Sequence, residues 1–312
     1  MRVAVIDLGT NTSNLLLAEA ADGRCRIIRQ SKEYVRLGDQ KIAENLLSRE
    51  GIQRATDAVK KQVQLSRNFA AEVITIIATS AVREAKNQTE LVEKIGLETG
   101  IFPEIVTGDR EAELIFKGVL LAFRQLPEPV MILDIGGGSN EIILGHHNRI
   151  LWKESFPAGM SRVVSRFTLS DPLTSAETTI LADYLQNIHA SAIRQARRLG
   201  VQTVIGCSGA FDTLADIADQ VNPGEKQRTA QEIPPDIFYR IVRQLLSSTR
   251  QQRLSMKGMD RVRLDLIVPA VILIEKIISE TGIQRIYQTD FALREGVLYE
   301  TITPDSAITL PQ

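Results

Sequence analysis

The sequence is poor in the residues that cross-link small proteins or bind transition metals. Its 312 residues include only two cysteines, Cys25 and Cys207, and three histidines. The cysteines lie far apart and fit neither a metal-ligand spacing nor a disulfide framework, so we expect a reducing, cytoplasmic compartment. The histidines, His146, His147 and His189, have no cysteine or acidic partner at ligand spacing, and turn or surface positions are expected for them.

A strong charge of one sign and long apolar runs are also missing. The formal net charge is −1, so no overall positive field attracts nucleic acid or an acidic membrane surface. No apolar run of about 18 residues occurs, and Asp7 interrupts the N-terminal apolar stretch where a signal peptide would continue. We therefore expect no nucleic-acid partner and no membrane insertion, and any polyanionic ligand has to be held locally.

The remaining composition is that of an ordinary globular protein. Hydrophobic residues make up 44% and charged residues 24% of the chain, which excludes disordered, collagen-like and disulfide-rich classes. The length exceeds what one hydrophobic core usually organises, so two domains are expected.

An internal repeat organises the sequence. The segment 3–17, VAVIDLGTNTSNLLL, aligns without a gap with 130–144, VMILDIGGGSNEIIL, and the offset from Asp7 to Asp134 is 127 residues. In both copies an apolar strand reaches an aspartate, turns through glycine and small polar residues, and leaves on a second apolar strand. This pattern predicts two β-hairpins. A third strand is expected after each, near residues 25–28 and 150–152.

Helical and strand patterns alternate beyond each hairpin, which predicts an α/β protein. The expected elements are a helix marked by Ile52, Ala55, Val59 and Val63, a strand at 73–78, a helix at 110–123, a long helix from Thr174 or Ser175 to about Leu199, a strand at 203–205, a helix at 264–278 and a strand at 285–287. The proline-containing segment 222–235 is expected to be a loop or mobile excursion.

Two copies of one α/β unit predict two similar domains flanking a cleft, with both hairpin tips facing it. We place the N-terminal domain at residues 1–122, completed by the C-terminal tail at about 300–312, and the C-terminal domain at residues 123–299.

The hairpin tips, residues 9–12 and 136–139, are rich in backbone N–H groups. Successive amides in a glycine-rich turn form a concave site for phosphate oxygens. A single turn of this kind also suits an ordinary hairpin, which uses glycine for positive φ. Two matching turns, each soon after an aspartate, favour anion binding.

Asp7 and Asp134 stand at strand ends beside these turns, where a carboxylate and phosphate oxygens can share a hard cation. Mg²⁺ prefers such a site, because it keeps several waters and takes one or two carboxylates. Either aspartate can instead accept hydrogen bonds from its own turn, and Glu141 on the outgoing strand can be an ordinary exposed residue.

Four further segments, taken together with the two hairpins, resemble the sequence pattern of a known family. They are 78–87 (ATSAVREAKN), 108–115 (GDREAELI), 206–209 (GCSG) and 292–299 (ALREGVLY). In this order, with the two hairpins, they resemble the short, two-domain form of the Ppx/GppA family of exopolyphosphatases and guanosine pentaphosphate phosphatases, from residue 3 to about residue 300. The resemblance implies a duplicated actin-like ATPase fold, in which each domain is ribonuclease H-like.

The resemblance also implies roles for individual residues. Glu111 matches the glutamate that activates the attacking water, Arg83 an arginine that binds phosphate, and Glu141 a water-side acid. Asp134 matches the metal-side acid, and Asp7, at the equivalent place in the first hairpin, is a second candidate for the metal. The phosphate-binding positions are Gly9, Thr10, Asn11, Thr12, Gly137, Gly138, Ser139 and Gly209. The family pattern differs at Arg110, an added positive charge, and at Cys207, in a turn that approaches a nucleoside in superfamily relatives.

Elementary chemistry is consistent with these roles. Phosphoryl transfer needs positioning, charge neutralisation and an oriented water, and a guanidinium holds two phosphate oxygens at once. Without the resemblance, Glu111 can be read as a first-turn helix acid and Arg83 as a solvated helix residue.

The sequence therefore predicts an exopolyphosphatase that uses Mg²⁺ or another divalent cation. The same chemistry on guanosine pentaphosphate, pppGpp, is the alternative within the family. A kinase or ATP-driven module of the same superfold, and a sensor that binds polyphosphate or (p)ppGpp without hydrolysis, are alternatives from other classes. A monomer or a homodimer is expected.

Overall fold

The structure is a computed structural model that describes residues 1–21, 24–37 and 42–303. The chain divides into two compact units. Unit 1 comprises Met1–Leu121 together with the segment that begins at Leu293, and unit 2 comprises Ala122–Ala292. The tail residues 304–312, which the sequence assigns to the first domain, lie outside the described residues. The common cleft likewise stays a prediction.

Unit 1 is built on a five-stranded sheet with the order β3-β2-β1-β4-β5. Its elements are β1 Arg2–Leu8, β2 Thr12–Ala21, β3 Arg24–Tyr34, α1 Arg49–Asn68, β4 Val73–Ala78, α2 Ser80–Arg83, α3 Gln88–Thr99, β5 Glu104–Ile105 and α4 Gly108–Phe123. Strands β1, β2 and β3 are antiparallel neighbours, whereas β4 and β5 continue the sheet in parallel from β1.

Unit 2 is built on a six-stranded sheet with the order β10-β11-β9-β6-β7-β8. Its elements are β6 Val130–Ile135, β7 Asn140–His146, β8 Arg149–Phe156, α5 Met160–Arg166, α6 Ser175–Ile188, α7 Ala190–Arg198, β9 Thr203–Cys207, α8 Gly209–Asp219, β10 Gln231–Glu232, α9 Pro235–Leu246, α10 Arg250–Leu254, α11 Ile267–Thr281 and β11 Arg285–Thr289. The last helix, α12 Leu293–Ile302, belongs to unit 1.

The two sheets share one topology. In unit 2 the antiparallel strands β6, β7 and β8 repeat β1, β2 and β3, and the parallel strands β9 and β11 repeat β4 and β5, with β10 added at the edge. This is the ribonuclease H-like strand order, and its duplication within one chain gives the actin-like ATPase fold. The predicted fold class is confirmed.

Burial explains why the central strands read as continuous apolar runs. Residues 3–6 of β1 are fully buried, because the strand pairs on both sides and is covered by helices. Helix α1 begins where Ser48 accepts a hydrogen bond from the Gly51 N–H, 3.0 Å, and it packs Ile52 and Val59 into the unit 1 core. The predicted helix and strand at 52–63 and 73–78 are confirmed.

The long helix predicted in the second half is interrupted. Thr174 and Glu177 form the capping box that starts α6. Helix α6 ends at Ile188, His189 lies between the two helices, and α7 begins at Ala190. His189 is fully buried rather than at a turn surface as predicted. The prediction was wrong because only the tertiary packing shows that this position faces the sheet.

The segment 222–235 is mostly a loop, as predicted, and ion pairs fasten it to unit 2. It contains β10, and the side chain of Arg228 is buried and donates to Asp216 Oδ1 and Asp219 Oδ2, both at 2.8 Å. The backbone N–H of Arg228 donates to Asp290 Oδ2 at 2.6 Å. The prolines indicate the loop, but they do not indicate that Arg228 pairs with aspartates of the preceding helix α8.

No helix in the described part of the chain combines the length and apolarity needed to cross a lipid bilayer.

Candidate active site

In unit 1, three connections leave the sheet at the same edge. The Thr79 N–H donates to the Leu8 carbonyl at 3.2 Å, and the Val106 N–H donates to the Ala78 carbonyl at 3.1 Å. The segments that follow β1, β4 and β5 therefore start side by side. They are loop 1, which we define as residues 9–12, helix α2 with Arg83, and helix α4 with Glu111. The carboxyl ends of parallel strands are the usual ligand-binding edge of α/β sheets.

Arg83 and Glu111 form a direct ion pair at this edge. Arg83 Nη1 donates to Glu111 Oε2 at 2.7 Å and to the Val106 carbonyl at 3.1 Å, and both side chains are largely buried. The reading of Arg83 as a solvated helix residue is therefore wrong. A carboxylate that can accept a proton and a guanidinium that can bind phosphate lie in contact.

Glu111 occupies the first turn of α4, as expected. Thr107 precedes this helix, and its hydroxyl accepts a hydrogen bond from the Arg110 N–H at 3.2 Å. The Glu111 N–H donates to the Thr107 carbonyl at 2.9 Å, so the backbone of the residue is fixed. The positive end of the helix dipole favours the ionised carboxylate at this position.

Loop 1 is a tight turn in which two carbonyls, those of Asn11 and Thr12, accept backbone hydrogen bonds. The Gly9 N–H donates to the Thr12 carbonyl at 2.9 Å, and the Asn11 carbonyl accepts from the N–H groups of Val35 and Arg36. In a trans peptide the N–H points opposite to the carbonyl. The Thr12 N–H therefore points away from the segment 35–36. Thr10 is buried.

Loop 2, which we define as residues 136–139, has the same closing hydrogen bond and a more complete backing. The Gly136 N–H donates to the Ser139 carbonyl at 3.0 Å. The carbonyls of Gly136, Gly137 and Gly138 accept from N–H groups at 159–161, at the start of α5. By peptide planarity, the N–H groups of residues 137–139 point away from α5. This is the arrangement of an anion-binding nest.

Gly159 and Arg162 support loop 2 and were not singled out in the sequence. A Cβ at Gly159 would lie 2.4 Å from the Gly137 carbonyl carbon, so only glycine allows this approach. Arg162 Nε donates to the Gly138 carbonyl at 3.1 Å. Gly159 lies 20 residues beyond loop 2 in the chain, and no local pattern indicates that the two meet.

Asp7 accepts a hydrogen bond from Asn14 Nδ2 at 3.3 Å, and the same amide lies 3.2 Å from Thr12 Oγ1. Asp7 and Asn14 are register partners on β1 and β2. Burial raises the pKa of Asp7 to about 6, although the Arg294 guanidinium and the Asn14 amide act in the opposite direction. The donor to Asp7 thus lies on the outgoing strand β2.

In unit 2 a row of polar side chains crosses four strands. Asp134 pairs in register with Glu141 and with Cys207, and Glu141 pairs with Ser155. Ser155 Oγ donates to Glu141 Oε1 at 2.7 Å, and Cys207 Sγ lies 3.8 Å from Asp134 Oδ2. Glu141 is buried, so its reading as an exposed strand residue is wrong.

The same row in unit 1 is less acidic. Asp7 and Asn14 occupy the register positions of Asp134 and Glu141, so a neutral amide replaces the second carboxylate. Two adjacent carboxylates in unit 2 form a donor set of hard oxygens that suits Mg²⁺, which needs one or two protein carboxylates. Burial, reinforced by Asp134, raises the pKa of the Cys207 thiol well above its usual range, so this soft ligand stays protonated at neutral pH.

Within residues 1–21, 24–37 and 42–303, no group of three or more His, Cys, Asp or Glu side chains is arranged to hold an ion. The donor chemistry at Asp134 and Glu141 is compatible with a cation that completes its shell with water and substrate oxygens.

The third glycine-rich turn joins β9 to α8 and is tied to the end of β6. Ser208 has φ +73°, in the left-handed region, and its hydroxyl bonds with the N–H and the carbonyl of Ile135, both at 3.2 Å. A Cβ at Gly209 would lie 1.4 Å from Arg263 Nη2. The backbone of this turn therefore lies directly against a guanidinium.

Arg110, the positive charge that departs from the family pattern, is paired. Its guanidinium donates to both carboxylate oxygens of Glu300 on α12, with one distance of 2.7 Å, and Lys117 contacts the same carboxylate. Its charge is thus paired with a carboxylate on α12.

Both units have a glycine-rich loop after the first strand of the hairpin. Unit 1 adds the ion pair of Arg83 with Glu111, and unit 2 adds the paired acids Asp134 and Glu141. In a duplicated actin-like fold, these features define a class of proteins that act on phosphate groups. A model of the Ppx/GppA phosphatase family matches residues 16–304, and the chain belongs to this family. It is accordingly a hydrolase of the exopolyphosphatase-like phosphatases.

Three similar proteins span nearly the whole chain. The crystal structure of an exopolyphosphatase from Cytophaga hutchinsonii is 34% identical, with a TM-score of 0.92 over 97% of this chain and 98% of that one. Exopolyphosphatase 2 of Mycobacterium tuberculosis is 28% identical over 95% of this chain and 97% of its own length. A guanosine-5'-triphosphate,3'-diphosphate pyrophosphatase of Photobacterium profundum is 25% identical over 96% of this chain and 59% of its own length.

Proposed function

We propose that this protein is an exopolyphosphatase that removes the terminal phosphate from inorganic polyphosphate. The observation that carries the proposal is the contact between Glu111 and Arg83, 2.7 Å, at the sheet edge where loop 1 emerges. It joins a proton acceptor to a phosphate-binding cation. Similarity to exopolyphosphatases over nearly the full length of both chains supports this substrate class.

The proposed reaction is an in-line displacement by water. The Glu111 carboxylate accepts a proton from a water molecule as the water oxygen bonds to the terminal phosphorus. The bond from that phosphorus to the bridging oxygen breaks, which releases orthophosphate and a chain shorter by one phosphate. Arg83 and the N–H groups of loop 1 stabilise the charge on the phosphoryl oxygens. Arg83 has five N–H donors, enough to contact phosphate while it positions Glu111.

We assign the divalent cation, Mg²⁺, to Asp134 of unit 2, with Glu141 on its water side, and we assign Asp7, at the equivalent register position of unit 1, as a further metal-side acid. When bound, the cation neutralises phosphate charge and lowers the barrier to displacement. The protein contributes the buried position of Glu141, which Ser155 holds through its hydroxyl. Removal of the cation by EDTA is expected to abolish turnover, and added Mg²⁺ is expected to restore it.

The alternative substrate is guanosine pentaphosphate, since a pyrophosphatase of this class matches 96% of the chain. The test measures orthophosphate release from polyphosphates of graded length and from guanosine pentaphosphate, at equal Mg²⁺. A kcat/KM at least tenfold higher on polyphosphate supports the proposal, whereas the reverse ranking assigns the alternative. Tight binding of either compound without release of phosphate under any divalent metal identifies a sensor.

A further inference from the structure

Behind loop 1, two buried polar side chains bind each other. Ser13 Oγ donates to Gln62 Oε1 at 2.6 Å, and Gln62 Nε2 donates to the Ser13 carbonyl at 2.9 Å. Both residues are fully buried. Ser13 pairs with Leu8 as the last register pair before the turn, so helix α1 holds the base of loop 1 through two hydrogen bonds.

Behind loop 2, a different pair of side chains does the same. Asn140 Nδ2 lies 3.3 Å from His189 Nε2 and donates to the Ala158 carbonyl at 2.7 Å. His189 Nδ1 lies 2.8 Å from the Leu185 carbonyl. A proton on Nδ1 satisfies this contact and leaves Nε2 as the acceptor for Asn140. Asn140 pairs with Ile135 as the last register pair before the turn.

The two pairs occupy equivalent places in the repeat. Ser13 and Asn140 differ by the same 127 residues as Asp7 and Asp134, and so do Gln62 and His189. In each pair the partners are 49 residues apart. We propose that Ser13–Gln62 and Asn140–His189 are duplicated positioning residues, which we call loop anchors, and that each holds its glycine-rich loop in the shape that binds a phosphate group. The inference rests on the proposed function for its substrate.

The chemistry of the anchors indicates a role beyond core packing. Apolar residues would fill these fully buried sites without the cost of desolvating polar groups. The Asn140 Oδ1 atom is buried and meets no donor in the described part of the chain, which costs about 1–3 kcal/mol. Different residue types make the same kind of contact behind the loop in both halves: a hydrogen bond from the strand to α1 in unit 1, and to His189 at the end of α6 in unit 2.

The anchor of loop 2 also extends to the backing of that loop. Asn140 holds the Ala158 carbonyl, and the next two residues donate their N–H groups to carbonyls of loop 2. The His189 ring packs on Phe156, with 4.6 Å between ring centroids. The Asn140 side chain therefore connects the outgoing strand of the hairpin to the start of α5. Loss of this anchor is expected to loosen both.

An anchor acts on a loop that binds phosphate before and during the reaction. Its removal therefore weakens substrate binding more than the chemical step, which raises KM and leaves kcat nearly unchanged. We expect about a tenfold increase in KM for polyphosphate, equivalent to about 1.4 kcal/mol. A residue that only supports the core would lower the folded fraction and leave the KM of folded enzyme unchanged.

The experiment replaces the helix partner of each anchor, Gln62→Leu and His189→Leu, in the full chain. Amide hydrogen exchange of peptides covering 9–13 and 136–140 is followed with orthophosphate present, and KM and kcat are measured on polyphosphate. Faster exchange is expected only in the loop whose anchor is removed. His189→Gln, which installs the residue type of unit 1, is expected to keep wild-type exchange in loop 2 and wild-type KM.

Control variants delete a hydrogen bond from the same helices without touching a loop. Thr56→Val removes the bond to the Ile52 carbonyl, and Ser191→Ala removes the bond to Glu154. The proposal is overturned if the leucine variants lose as much stability as the controls but show unchanged exchange in both loops and an unchanged KM. If the leucine variants do not fold, Ser13→Ala decides it, since faster exchange of loop 1 is required there too.

Hydrogen exchange separates this inference from the proposed function. If the wild-type protein releases no phosphate from polyphosphate, the substrate assignment fails, but localised loosening of each loop still supports the anchors. If polyphosphate is hydrolysed and the loops do not respond, the anchors fail and the substrate assignment stands.

Discussion

The sharpest test of the catalytic assignment is the variant Glu111→Gln, which changes a charge and a proton-accepting group but almost no volume. The amide oxygen of glutamine can still accept the bond from Arg83 Nη1, which is 2.7 Å long in the wild type. Arg83 is therefore expected to stay in place, and KM is expected to change little. Loss of general-base catalysis typically lowers the rate about 10² to 10⁴-fold, and we expect kcat to fall within that range.

The stability of this variant can also be worked out. The pair is largely buried, and a hydrogen bond to a charged group contributes about 1.5–3 kcal/mol, against about 0.5–1.5 kcal/mol for a neutral one. The difference, about 1 kcal/mol, corresponds to a decrease in Tm of about 2–4 °C for a domain of this size. The fold should thus persist under assay conditions, as calorimetry can verify.

The matched control is Glu113→Gln, which makes the same chemical change on the same helix. The Glu113 side chain is 41% exposed and lies 3.7 Å from Arg110. Surface pairs contribute little, so turnover and Tm should match the wild type. A kcat for Glu111→Gln within threefold of the wild-type value, measured by orthophosphate release, would refute the assignment of Glu111 as the base.

Three further predictions concern Arg83, Gly159 and His189. Arg83→Lys should raise KM about tenfold, because one ammonium cannot bind Glu111, the Val106 carbonyl and phosphate together; equal KM values in steady-state kinetics would contradict this. Gly159→Ala should lower the free energy of unfolding by about 1–3 kcal/mol and raise KM, because the new Cβ meets loop 2 at 2.4 Å. Gly200→Ala, with φ +64° and open space around it, should affect stability alone. Burial lowers the pKa of His189 from 6.5 to about 4, so the unfolded chain binds an extra proton between these values. The free energy of unfolding should fall by up to about 3 kcal/mol as the pH drops from 6.5 to 4. Urea titrations at both pH values should show a smaller fall in His189→Gln. Equal falls in the variant and the wild type would contradict the lowered pKa of His189.

The hairpins and the strand order could be predicted because their signals are local. Apolar runs that end at Asp7 and Asp134 indicate central strands, and equal spacing in both copies indicates one topology. The contact between Arg83 and Glu111 was not predicted, because it depends on the two-residue strand β5, which pairs in parallel with β4 and has no clear signal in the sequence.

The supporting residues could not be predicted because their partners are distant in sequence and of ordinary types. His189 occupies an apolar helix pattern, and only the repeat offset relates it to Gln62. Arg228 lies in a segment whose prolines favour a loop, while the aspartates that bind it, Asp216 and Asp219, look like solvated helix residues. Tertiary pairing decides such positions, and local propensity does not report it.

Unit 1 is assembled from two separated stretches of chain, and this has a consequence for protein synthesis. Helix α12 supplies Glu300 to Arg110, and Gly296 on it packs so closely on α4 that a Cβ would lie 1.8 Å from the Leu114 carbonyl oxygen. Domains emerging from the ribosome fold as their residues become available. Unit 2 is continuous and can finish first, whereas α4, the helix that bears Glu111, lacks its packing partner until α12 has been synthesised after the whole of unit 2.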